Sequence, residues 1–123
     1  MAKILVVDDD KLIREGVADM LRSEAQHEVI TADDGKAGLK KALAEKPALI
    51  ISDVRMPKMT GTEMIEALRK DKWGKDVPVI VMSNDEDTST INDALAAGVT
   101  VYLSKLNTDR AALSQQVNVL LGT

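Results

Sequence analysis

The sequence predicts an α/β fold, a doubly wound sheet of five parallel strands with five helices on its two faces. Three observations predict it. Five short apolar runs alternate with five helix-periodic stretches, and no linker interrupts them. The runs are mostly continuous rather than alternating, as strands covered on both faces require. Four of them stop on a residue suited to phosphate or metal chemistry: 4–7 on Asp8 and Asp9, 49–52 on Asp53, 79–82 on Ser83, and 101–104 on Lys105.

The elements follow in order. Residues 4–7 are wholly apolar and form the first strand. Asp10 stands where an N-cap belongs, and Ile13, Val17, Met20 and Leu21 repeat at helical spacing behind it. Residues 27–32 are half polar, so this second strand belongs at an edge of the sheet, with His27 at its start and on the surface. Asp33-Asp34-Gly35 marks a turn and a helix start. Leu39, Ala42 and Leu43 define the second helix, stopped before Pro47.

Residues 48–52 form the third strand, followed by a loop containing Pro57 and Gly61. Thr60 with Glu63 three residues on is a capping box for the third helix, which runs through Met64, Ile65 and Leu68. The Trp73 ring is expected to cover a core edge. Residues 77–82 are the fourth strand. Ile91, Ala94 and Leu95 define the fourth helix, ended by Gly98, and 99–103 the fifth strand. Leu113, Val117, Leu120 and Leu121 supply the buried stripe of the last helix.

Right-handed crossovers leave few topologies for such a chain. With the least apolar strand outermost, the order is 2-1-3-4-5, the flavodoxin-like arrangement. Ligands then bind beyond the carboxyl ends of the strands, at the switch between strands 1 and 3. Asp8, Asp9 and Asp53 fall there.

Composition narrows the function. A chain of 123 residues with 45% apolar content makes one domain, 1–123, with an aliphatic core, because aromatics are only 2%. Few rings, a net charge of −4 and no basic cluster argue against direct nucleic-acid binding. With no cysteine, thiolate metal sites and cysteine nucleophiles are excluded. His27 is the single histidine, so no His-rich metal site forms. No run is long enough to span a membrane and no leader pattern is visible, which makes cytoplasm the expected compartment and gives no membrane partner. Neither glycine-rich nucleotide motif is present.

Two carboxylates about 4 Å apart repel by roughly 4 kcal/mol at an effective dielectric near 20. Asp8, Asp9 and Asp53 together therefore call for a cation, and oxygen-only donors favour Mg²⁺ or Mn²⁺. Asp53 suits a nucleophile toward phosphorus. Lys105 can neutralise a phosphoryl oxygen, and Ser83 can donate to another. Taken singly, Ser83 reads as a turn residue and Lys105 as a solvated one; in this order they form a phosphoryl site.

These residues lie in stretches that resemble the receiver domain of the response-regulator family of two-component signalling. The matching text is Ile-Leu-Val-Val-Asp-Asp at 4–9, Asp-Val-Arg-Met-Pro-Lys-Met-Thr-Gly at 53–61, Val-Met-Ser at 81–83 and Tyr-Leu-Ser-Lys at 102–105. The resemblance implies that Asp53 is the phosphoacceptor, taking its phosphoryl group from a sensor histidine kinase or phosphotransfer protein. It implies Mg²⁺ bound by Asp9 directly, by Asp8 through water, by Asp53 and by the backbone carbonyl of Arg55. Ser83 and Lys105 would contact phosphoryl oxygens. Tyr102 would be the aromatic switch that follows Ser83. The face made by the fourth helix, fifth strand and fifth helix would then change its hold on a downstream effector or an output domain. Such a domain is not an enzyme beyond its own phosphorylation and dephosphorylation.

The sequence departs from the family pattern at three places. Leu106 follows Lys105 where proline is usual, so a trans peptide is expected. Asn84 follows Ser83 where a small residue is usual. Val99, Thr100 and Val101 replace the small and acidic residues usual after Gly98. Arg55, Asn84 and Asp85 are expected at the pocket rim, with Arg55 and Asp85 paired across it. Two alternatives remain open on sequence: a pseudo-receiver acting by protein contact alone, and a haloacid-dehalogenase-like phosphatase with Asp8 as nucleophile and Asp10 as acid/base.

Overall fold

A computed structural model describes residues 2–122. Strands and helices alternate throughout: β1 Lys3–Val7, α1 Lys11–Ala25, β2 Glu28–Ala32, α2 Gly35–Glu45, β3 Leu49–Ser52, α3 Gly61–Lys70, β4 Val79–Ser83, α4 Thr88–Ala97, β5 Val101–Ser104 and α5 Arg110–Leu121. The five strands form one parallel sheet in the order β2-β1-β3-β4-β5, the flavodoxin-like topology expected.

Alternate side chains of the central strands feed two cores. Leu5, Val7, Ile50, Val79 and Val81 pack with Met64, Ile65 and Leu68 of α3 on one face. Ile4, Val6, Leu49, Ile51, Ile80 and Met82 pack with Ala18, Met20 and Leu21 of α1 and with Leu113 and Val117 of α5 on the other. Burial on both faces explains why these strands read as unbroken apolar runs. Trp73 packs against the first cluster. Asp10, Asp34, Thr60, Asp87 and Asp109 cap the five helices, and the Thr60–Glu63 capping box is formed. Among the described residues, no helix is long and apolar enough to cross a membrane.

Register positions the site. Val7 lies opposite Ser52, Ser52 opposite Val81, and Ser83 opposite Ser104. The residues that follow those strand ends therefore emerge at one sheet edge. The ladder continues one step beyond each strand, with Asp8 N–H donating to Ala32, Asp53 N–H to Val7 and Lys105 N–H to Ser83.

His27 corrects the sequence reading twice. It precedes β2 rather than starting it, and it is 7% exposed rather than on the surface. The cause lies at the end of α1. Gln26 takes a left-handed conformation (φ 56°), and the His27 N–H turns back to the Leu21 carbonyl. The ring then lies against the N-terminal segment, its Nδ1 accepting the Ala2 N–H at 3.0 Å. Strand β5 also starts later than the apolar run suggests. The Val99 N–H satisfies the Ala94 carbonyl at the end of α4, so Val99 belongs to the helix stop rather than to the sheet.

Candidate functional site

Strand β1 delivers Asp8 and Asp9 to the edge, and β3 delivers Asp53 beside them. Asp8 is buried: one carboxylate oxygen accepts the Asp10 N–H at 2.9 Å, and the other lies 2.9 Å from Lys105 Nζ. Asp53 Oδ1 accepts the Val54 N–H at 2.7 Å, and its Oδ2 accepts from Lys105 Nζ at 3.0 Å. Asp9 is exposed. One carboxylate oxygen from each of Asp8, Asp9 and Asp53 lies within 4.8 Å of the other two. Asp10 is not part of this cluster. Its Oδ1 accepts the Leu12 and Ile13 N–H groups at 3.0 and 3.3 Å, so it caps α1.

Three carboxylates thus face one ammonium. At this spacing each carboxylate pair repels by roughly 3–4 kcal/mol at an effective dielectric near 20. Lys105 feels the imbalance: burial works against its charge, but hydrogen bonds and attraction from Asp8 and Asp53 outweigh it, holding the ammonium above its ordinary 10.5. Burial pushes the Asp8 carboxyl above 3.8, and the charge of Asp53 adds to that push while Lys105 opposes it. Both groups shift toward binding protons, Asp8 chiefly because it is buried and Lys105 because it is paired with two carboxylates. A hard divalent cation such as Mg²⁺ fits this oxygen-only donor set.

Beside the acids opens a cavity of ≈ 320 Å³ lined by Asp53, Arg55, Ser83, Asn84, Asp85 and Lys105. Ser83 ends β4 and is 2% exposed, and its Oγ accepts the Asp85 N–H at 3.0 Å. Arg55 donates from Nε and Nη2 to Asp85 Oδ2 at 3.0 and 2.6 Å, so the rim pair expected from sequence is formed. The Asp87 N–H, with Arg55 second, holds the Asp85 carboxyl below 3.8. The Tyr102 hydroxyl donates to the Asp85 carbonyl at 2.7 Å, tying the ring to the loop that follows Ser83. Asn84 is exposed at the rim and Leu106 is 77% exposed. No cis peptide occurs among the described residues, so the Lys105–Leu106 bond is trans.

Two neighbours escape sequence reasoning. Arg14, on α1, donates from Nη1 to the Asp8 carbonyl at 2.9 Å. Glu86 accepts from Ser104 Oγ and Asn107 Nδ2, each at 3.4 Å, linking the loops after β4 and β5. Neither belongs to a motif. The one signal for Arg14 is its position, one turn of helix beyond the acids.

A family model described as response regulator receiver domain matches residues 4–118. Over 122 residues the chain is 30% identical to chemotaxis protein CheY1 of Helicobacter pylori, covering 98% of each. Its structure is similar to that of the chemotaxis response regulator CheY4 of Vibrio cholerae, with 35% identity, a TM-score of 0.89 and 98% of each chain covered. It is also similar to the receiver domain of sensor histidine kinase PA1611 from Pseudomonas aeruginosa PAO1, solved with a magnesium ion coordinated in its active site cleft. There the identity is 26%, the TM-score 0.90, and the match covers 99% of this chain and 98% of that one. The chain spans only 7–28% of the length of three curated relatives it also matches.

Proposed function

The chain belongs to the response regulator receiver domain family of two-component signalling, and on that premise we propose that it is a phosphoacceptor that carries its phosphoryl group on Asp53. One observation carries the reading. Lys105 spans the Asp53 and Asp8 carboxylates at 3.0 and 2.9 Å, with Asp9 in the same cluster and an open cavity alongside.

A carboxylate oxygen of Asp53 attacks the phosphorus of a phosphohistidine on a sensor kinase or phosphotransfer protein. The new O–P bond makes an acyl phosphate, the N–P bond breaks, and the imidazole leaves with the electron pair and takes up a proton. Asp8, Asp9, Asp53 and the Arg55 carbonyl would hold Mg²⁺, and Mn²⁺ suits the same oxygens. When bound, the cation neutralises charge on the acids and on the transferring group. Lys105 holds one phosphoryl oxygen, and the Ser83 hydroxyl donates to another. Water reverses the modification by attacking phosphorus and releasing inorganic phosphate with the Asp53 carboxylate restored.

The output follows from Asp85. Ser83 holds its N–H and Tyr102 holds its carbonyl. Turning the Ser83 hydroxyl toward a phosphoryl oxygen gives up the first bond and loosens the loop that anchors the second. Tyr102 then serves as the switch, and the α4–β5–α5 face changes its affinity for an effector or an output domain. In this reading, 1–123 is a receiver unit and not an enzyme with an external substrate.

Intact mass after treatment with acetyl phosphate and Mg²⁺ tests it. The parent gains one phosphoryl group, and the gain is lost with EDTA or in Asp53→Asn. A parent that stays unmodified would favour action by protein contact alone, the reading that Asn84 at the pocket rim supports.

A further inference from the structure

Arg14 has no part in the chemistry described so far, yet it touches the turn that carries two of the three acids. Its side chain is 14% exposed, its Nη1 donates to the Asp8 carbonyl at 2.9 Å, and its Nε lies 3.9 Å from Glu15. The Asp8 carbonyl and the Asp9 N–H belong to one rigid peptide plane. A donor that fixes that oxygen also fixes the plane from which Asp9 departs. Asp8 has further anchors in the Asp10 N–H and Lys105. Asp9 has none: among the described residues no hydrogen bond or ion pair orients its carboxylate.

We infer that Arg14 is a positioning residue for cation binding, acting through the Asp8–Asp9 peptide to aim the Asp9 carboxylate at the acid cluster. The inference rests on the reading of Asp8, Asp9 and Asp53 as a Mg²⁺ site.

Charge and geometry predict opposite outcomes, which makes the idea testable. A guanidinium beside the site repels a cation, so its removal by charge alone would tighten Mg²⁺ binding. If Arg14 acts by positioning, its removal weakens binding. Partners that orient metal ligands typically contribute about 10–100-fold in affinity.

The experiment is a calorimetric Mg²⁺ titration of the parent, Arg14→Met and Arg14→Lys, each shown to be folded by circular dichroism. Arg14→Met is expected to raise the Mg²⁺ dissociation constant about tenfold. Arg14→Lys, which keeps a donor and the charge, is expected to fall between Arg14→Met and the parent. Equal or tighter binding by Arg14→Met overturns the inference. Should Arg14→Met fail to fold, Arg14→Lys decides: weakened binding supports the positioning role, and binding like the parent's overturns it. A parent that binds no Mg²⁺ overturns the cation site itself, and this inference with it.

Discussion

Asp85 illustrates how much one residue can organise. Its carboxylate receives Arg55 from across the cavity and the Thr90 hydroxyl, while its backbone joins Ser83 to Tyr102. The Arg55 side chain is 74% exposed, so solvent screening leaves the pair little weight in folding. In the proposed phosphoacceptor the pair would restrict the path of water to Asp53, so its influence would fall on the phosphoryl lifetime. Arg55→Ala is expected to speed dephosphorylation by up to about fivefold, with an unchanged denaturation midpoint; equal decay rates for variant and parent would remove this role. His27 gives a residue-scale prediction of another kind. Burial, then the positive chain terminus, holds its pKa below the ordinary 6.5. The unfolded chain therefore binds the extra proton, so the stability is present above 6.5 and lost as pH falls below it. Asp34 and Asp85 are depressed below 3.8 and titrate in a lower window. The urea midpoint of the parent should fall between about pH 7.5 and pH 5.5, and that of His27→Gln should change less. Parallel curves for the two proteins would contradict the assignment.

The elements matter through what they bring close. Helix α3 starts almost against the end of β3: a Cβ on Gly61 would lie 2.1 Å from the Asp53 carbonyl oxygen and 3.1 Å from Val54 Cα. Both obstacles are backbone, so neither can move aside as a flexible side chain would. Gly61→Ala must push α3 away from the strand that carries Asp53, at a cost of about 1–3 kcal/mol. It should also slow phosphorylation by acetyl phosphate more than Thr60→Ala does, although loss of that cap costs about 1 kcal/mol as well. Equal rates in the two variants would show that the approach of α3 does not set the Asp53 geometry. The helix signals were legible because caps act locally: Asp10, the Thr60–Glu63 box and Gly98 each do what their spacing announces. The start of β5 was not legible, because Val99 is as apolar as a strand residue. Its backbone bond to Ala94 depends on how α4 ends, not on hydropathy.

Across the whole molecule, the sheet order was readable because the central strands are buried on both faces and β2 is the polar one at the edge. Once the order is known, the meeting of Asp8, Asp53, Ser83 and Lys105 follows from register, since a parallel sheet sends all its carboxyl ends the same way. What remained hidden depends on contacts between distant parts that no local pattern encodes: the burial of His27 against the N-terminal segment, and the grip of Arg14 on the Asp8 carbonyl. The central claim is that this convergence makes Asp53, among several clustered acids, the one that takes up phosphorus. Reductive trapping of the acyl phosphate with borohydride, followed by peptide mass mapping, tests it most directly. The account predicts a reduced label on Asp53, formed only with Mg²⁺ and a phosphodonor present; a label on Asp8 or Asp9, with Asp53 unmodified, would contradict it.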